Sequence, residues 1–371
     1  MKIKAAVLWE TGQPWSVEEV ELDDPQLNEV LVRIEAAGLC HSDDHVRVGD
    51  GIAMLPTIGG HEGAGVIEKL GPGIEGLEVG DHVVFSFIPA CGRCHWCSIG
   101  RQNLCDYGMF LMQGGTITGG YRAHARGKDI GTLSLLGTFA EYAVVHETSI
   151  VKIGKDIPFA QASLLGCGVP TGWGSSVYIG KVQPGETVVV VGIGGIGANA
   201  LQGARIAGAR TIVAVDPVEY KRDQAKIFGA THTAASMEEA FDLVGEVTNG
   251  VMADVGVCTI GIVEGHMMQP FTDLVSKGGR AVLTGMARNT DSDVTLGLQL
   301  FALFEKSLLG NVYGGCSPRA DIPRLADLYR AGKLQLDELI TRTYALDDIN
   351  QGYEDMLAGK NIRGVVVNNH S

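Results

Sequence analysis

Proline is scarce in this chain, 12 of 371 residues, and there is no Gly-X-Y period, no internal repeat and no low-complexity segment. A collagen-like architecture is therefore excluded. Basic residues are also few: 29 Lys and Arg stand against 43 Asp and Glu, a net charge of −14. That deficit argues against a phosphate backbone or an anionic membrane surface as partner, so neither nucleic acid nor membrane is expected. Long apolar runs are missing too. The uncharged stretches 157–180 and 187–204 are broken by glycines, the first by prolines as well, and neither reads as a membrane-spanning helix. The first ten residues carry no secretory pattern, so a cytoplasmic location is expected. In a reducing compartment the eight cysteines are ligands or buried thiols rather than disulfides.

What the chain has in excess is glycine, 52 residues, about twice the usual share. Length and pattern predict two domains. Up to about residue 168, short β segments alternate with turn signals; strands are predicted over 1–9, 29–37, 66–70, 82–87 and 140–146. Beyond residue 185 strands alternate with helices. Strands are expected over 186–191, 211–215, 254–259, 280–285 and 307–312, with helices over 195–207 and 218–228. That alternation predicts an α/β fold with a doubly wound parallel Rossmann sheet. Helices over 322–331 and 347–358 and a strand over 364–368 complete the chain.

Gly192-Ile193-Gly194-Gly195-Ile196-Gly197 follows a predicted strand and opens a predicted helix, and the next strand ends at Asp216. Glycines let a backbone approach a pyrophosphate, and the helix N-terminus offers N–H donors. Asp216 is placed to accept from both ribose hydroxyls and to repel a 2′-phosphate, so NAD is expected over NADP. The bland alternative is a structural strand–turn–helix with a solvated aspartate.

Cys91, Cys94, Cys97 and Cys105 have the spacing C-x2-C-x2-C-x7-C. Four thiolates this close can enclose a tetrahedral structural Zn²⁺. An iron–sulfur cluster shares the first part of the spacing, and a nucleic-acid zinc knuckle is disfavoured by the charge. Cys40, His61, Glu62 and Cys167 are more dispersed. Catalytic zinc commonly has three protein ligands, Cys2His among them, but each of these residues alone is equally a buried structural side chain.

Several blocks together resemble one family. Gly60-His61-Glu62-Gly63-Ala64-Gly65, Gly38-Leu39-Cys40-His41-Ser42-Asp43-Asp44-His45, the four-cysteine lobe, Gly166-Cys167-Gly168-Val169-Pro170-Thr171-Gly172 and the glycine fingerprint resemble, in order, the zinc-containing medium-chain alcohol dehydrogenases. The resemblance implies a β-rich GroES-like catalytic domain over 1–168, completed by 313–371, and a Rossmann domain over 169–312, with the active site in the cleft between. It implies NAD and two zinc ions per subunit. Cys40, His61 and Cys167 would hold the catalytic zinc, Glu62 would be an alternative ligand, and Asp43 would orient His61. Ser42 and His45 would relay the alcohol proton. Thr171 and Ile196 would press on the nicotinamide, His41 and Arg363 would contact the pyrophosphate, and Lys221 the adenosine ribose. Phe87 is a candidate for the pocket wall. Cys258 and Cys316 are read as buried structural thiols.

Ser86-Phe-Ile-Pro-Ala-Cys91, Gly100-Arg-Gln-Asn-Leu-Cys105 and Ala320-Asp-Ile-Pro-Arg324 look like the actinobacterial nitroso-dimethylaniline-dependent branch. That branch implies oxidation of primary alcohols to aldehydes with a tightly held NAD, recycled in place by a second electron acceptor of mycofactocin type, in a homo-oligomer. Two alternatives stand beside it. One is a glutathione-adduct (formaldehyde) dehydrogenase, whose branch has an arginine where Met109 stands here. The other is a non-catalytic dinucleotide-binding module.

Overall fold

The computed structural model describes residues 1–370, and the chain divides into two compact units. The first comprises residues 1–167, 317–331 and 340–370, and the second 168–316 and 332–339. The expected boundaries were 168/169 and 312/313. The segment 332–339 groups with the second unit because Leu334, Leu336 and Leu339 are buried and Gln335 exchanges backbone and side-chain hydrogen bonds with Gln202.

In the first unit Lys2–Leu8, Ser16–Leu22, Ala123–Ala125, Lys128–Thr132 and Thr57–Ile58 close a small barrel. A second sheet runs in the order Ile150–Ile153, His82–Phe85, Gly63–Leu70, Glu29–Gly38, Arg363–Val367 and Ile340–Tyr344, with Tyr142–His146 also paired to Glu29–Gly38. Glu29–Gly38 is the hub: its apolar side chains are buried on both faces, and its register shifts at Leu31/Val32 and Ile34/Ala36, just before Cys40. The strand predicted to begin at Val66 begins at Gly63. A Cβ at Gly65 would lie 2.0 Å from the Arg33 carbonyl oxygen, so glycine here permits close strand pairing.

The second unit carries a six-stranded, all-parallel sheet ordered His232–Ala234, Thr211–Val215, Thr187–Val191, Ala253–Cys258, Val275–Leu283 and Ser307–Gly310. This 3-2-1-4-5-6 order is that of a doubly wound nucleotide-binding sheet. Thr187–Val191 is buried at every position, as a central parallel strand must be. Helix Gly195–Ala207 has the predicted bounds and ends on Gly208 in the left-handed region (φ 93°). Helix Met237–Val247 was not predicted, although Ser236 caps it by accepting the Glu239 N–H, an S-x-x-E signature readable from sequence. Among the described residues no helix is long and apolar enough to cross a membrane.

Candidate metal and dinucleotide sites

Cys40 caps the N-terminus of helix His41–Val48, another element not predicted because only Val46 and Val48 in its eight residues are aliphatic. That position faces the positive end of the helix dipole, which favours a thiolate. His61 follows Gly60, whose φ is +90° and where a Cβ would lie 2.5 Å from Thr138 Oγ1. Cys167 follows Gly166, where a Cβ would lie 2.4 Å from the Phe85 carbonyl oxygen. Two glycines thus permit the close approaches that present two of the ligands, one against Thr138 and one against strand His82–Phe85. One donor atom each from Cys40, His61, Glu62 and Cys167 lies within 4.8 Å of the others, and all four residues are buried.

The electrostatics suit a cation. Cys167 hydrogen-bonds Cys40 and holds its thiol well below the usual value, while the same sulfur partner and burial push Cys167 well above. Burial works against a charged His61, but Asp43 and Cys40 outweigh it and raise its pKa. Asp43 Oδ1 lies 3.1 Å from His61 Nδ1 and accepts from the Gly60 N–H at 3.0 Å. With Nδ1 so engaged, Nε2 is the nitrogen left for a metal. Burial lifts Glu62 to about 7 against the opposing Arg363. Buried, negative and soft, this donor set fits Zn²⁺.

Arg363, expected at a pyrophosphate, is buried and donates to Glu62. The Ser42 hydroxyl is 3.6 Å from Cys40 Sγ. His45 is buried, with Nδ1 3.9 Å from Asp50 and its ring 6.4 Å from that of His41. Phe87 stands edge-on to His61 with centroids 5.6 Å apart.

The four-cysteine cluster is also formed, its sulfurs within 4.8 Å of one another. Backbone N–H groups of Cys91, Cys94 and Cys97 donate to Cys105, Cys91 and Cys94 sulfurs at 3.4–3.5 Å. Burial opposes a Cys94 thiolate, but the Asp106 and Cys97 N–H groups bring it down to about 7; Cys105 is pushed up to about 12 by burial. Such a cage of donors toward sulfur fits a structural zinc.

In the second unit Gly192 has φ +92°, and a Cβ at Gly197 would lie 1.9 Å from the Gly192 carbonyl oxygen. Gly194, the helix N-cap, has nothing within 4 Å of the position a Cβ would take. Two glycines are thus needed by packing and one opens space at a helix N-terminus, an arrangement that fits a dinucleotide pyrophosphate. Asp216 accepts from the Ile193 and Val218 N–H groups, tying the glycine turn to the strand end. Gly195 and Ile196 form the first turn of that helix, and Lys221 lies in helix Glu219–Phe228. Thr171 is buried in helix Gly168–Gly174 with Oγ1 lacking a protein partner.

A parallel nucleotide-binding sheet, a four-thiolate lobe and a Cys/His/Glu cluster define a zinc-type dehydrogenase. Residues 26–155 match the alcohol dehydrogenase GroES-like domain and 195–331 the zinc-binding dehydrogenase family. The chain is 49% identical over 368 residues to alcohol dehydrogenase B of Mycobacterium tuberculosis, covering 99% of this chain and 98% of the relative. It is also 49% identical to the NDMA-dependent alcohol dehydrogenase of Amycolatopsis methanolica, covering 99% of each chain. An alcohol dehydrogenase zinc-binding domain protein from Burkholderia ambifaria has a TM-score of 0.93 at 32% identity, covering all of both chains. The chain belongs to the zinc-type medium-chain alcohol dehydrogenases and is an oxidoreductase acting on alcohols.

Proposed function

We propose that the protein oxidises primary alcohols to aldehydes, passing hydride to an NAD that stays bound and is recycled in place by a second electron acceptor of mycofactocin type. The observation that carries the chemistry is the buried Cys40, His61 and Cys167 donor set, with Glu62 behind it. The retained cofactor rests on the likeness to the NDMA-dependent relative. When bound, zinc supplies Lewis acidity toward the alcohol oxygen and the nicotinamide ring takes the hydride.

The residues of the chain do the rest. Asp43 fixes the His61 tautomer and ring orientation. Ser42 takes the alcohol proton and hands it toward His45, from which it leaves for solvent. Thr171 and Ile196 orient the nicotinamide, His41 neutralises pyrophosphate charge, Arg363 reaches toward it from its pair with Glu62, and Lys221 with Asp216 holds the adenosine ribose. Cys91, Cys94, Cys97 and Cys105 hold a second, structural zinc. Met109 is exposed and carries no charge, so the cation of the glutathione-adduct branch is missing at that place. We also propose a homo-oligomer, and a cytoplasmic location.

The test is to dialyse the purified protein, denature it and assay the supernatant. About one NAD and two zinc ions per chain are expected. A protein free of NAD after dialysis that turns over only with added NAD⁺ would be a dehydrogenase with an exchangeable cofactor.

A further inference from the structure

Asp43 Oδ1 serves both His61 and the Gly60 N–H, while Asp43 Oδ2 is buried without a protein partner. Tyr353, in helix Ile349–Leu357, is 2% exposed, and its hydroxyl also has no protein partner. Burial holds the phenol well above its usual pKa, and of the charges acting on it that of Asp43 is the largest. The group is therefore a neutral O–H donor beside an acidic cluster.

Its ring is held in place. Tyr353 packs on Trp15 and on Phe139, each with centroids 6.2 Å away. The same two rings press on the turn before His61: a Cβ at Gly59 would lie 2.5 Å from Trp15, and one at Gly60 would lie 2.7 Å from Phe139. One aromatic layer thus carries both the Tyr353 hydroxyl and the turn that presents His61. Buried donors and acceptors are paired in native proteins, by ordered water where no protein atom reaches.

We propose that Tyr353 is a positioning residue for the His61 ligand, its hydroxyl donating through one bridging water to Asp43 Oδ2. The inference rests on the zinc reading of the Cys40, His61 and Cys167 cluster. Two readings of Tyr353→Phe differ in what happens at the metal site. An idle hydroxyl is an unsatisfied polar group, and removing it leaves the metal site as it was. A positioning hydroxyl, once removed, strands Asp43 Oδ2 and loosens the carboxylate from His61.

Holo Tyr353→Phe and the parent are exposed to a chromogenic zinc chelator, and metal release is followed in time, with Asp43→Asn marking the phase that belongs to His61. Tyr353→Phe should speed that phase about tenfold, leave the other phase unchanged, and add nothing in the Asp43→Asn background. Unchanged release, acceleration of both phases, or multiplying effects in the double variant would overturn the role. A parent that yields only one zinc ion per chain when denatured would overturn the metal reading itself, and this inference with it.

Discussion

Gly38 has no room for a methyl group. A Cβ there would lie 2.2 Å from Glu62 Oε2 and 2.8 Å from Arg363 Nη2. Glu62 and Arg363 form an ion pair almost wholly removed from water, and separating such a pair leaves two charges buried without compensation. Gly38→Ala should therefore destabilise the fold by about 3–5 kcal/mol, read as a lower denaturant midpoint. An unchanged midpoint would show that the pair adjusts without cost. Sequence points to Gly38, Cys40, His61 and Glu62 through their motif blocks, but the Glu62–Arg363 pair that requires glycine at position 38 has no local signal.

At the scale of the element, the glycine turn separates packing from binding. Gly197→Ala would drive the helix from its strand, since the Gly192 carbonyl oxygen lies 1.9 Å from the new atom. Gly194→Ala meets nothing in the protein. Gly194→Ala should thus keep the parent's thermal stability yet retain less NAD after dialysis, whereas Gly197→Ala should lose both. Equal NAD retention in Gly194→Ala and the parent would count against the pyrophosphate lying there.

The barrel carries a pH-dependent contact. His124 lies 3.0 Å from Asp23 and 2.9 Å from Asp129. Asp23 first, and then Asp129, raise its pKa above 6.5 despite some burial. Because the folded value is the higher one, the stabilisation is fully present below about pH 6.5 and is lost as pH rises through the folded value. The group is partly exposed, so the effect is small. Urea midpoints of the parent and His124→Gln should differ at low pH and converge at high pH; a gap that does not change with pH would rule the contact out. Local spacing made the turn and helix Gly195–Ala207 legible, but the barrel strands Ala123–Ala125 and Lys128–Thr132 were not, because three to five residues with few apolar side chains have no period to detect.

For the whole molecule, the open edge of the parallel sheet is the place where a second copy would add. Ser307–Gly310 is the last strand, and Leu298, Leu300, Leu303 and Leu308 on and beside it are exposed. Exposed apolar surface along an unpaired strand favours association. The parent should run above its 39.2 kDa chain mass in light scattering, and Leu303→Glu with Leu308→Arg should return it to that mass with an unchanged circular dichroism spectrum. A parent that is already monomeric would refute the proposed assembly.

Sequence alone determined the parts whose geometry is local. The glycine turn and the four-cysteine lobe each lie within a few turns of chain, so spacing specifies which atoms can meet. Tertiary structure decided the rest. Cys40, His61 and Cys167 converge because tight backbone approaches at Gly60 and Gly166 bring segments distant in sequence together. Arg363 reaches Glu62 across 301 residues of chain. No periodicity encodes such a pairing: it exists because a buried carboxylate requires a buried cation, and only the folded interior puts the two together.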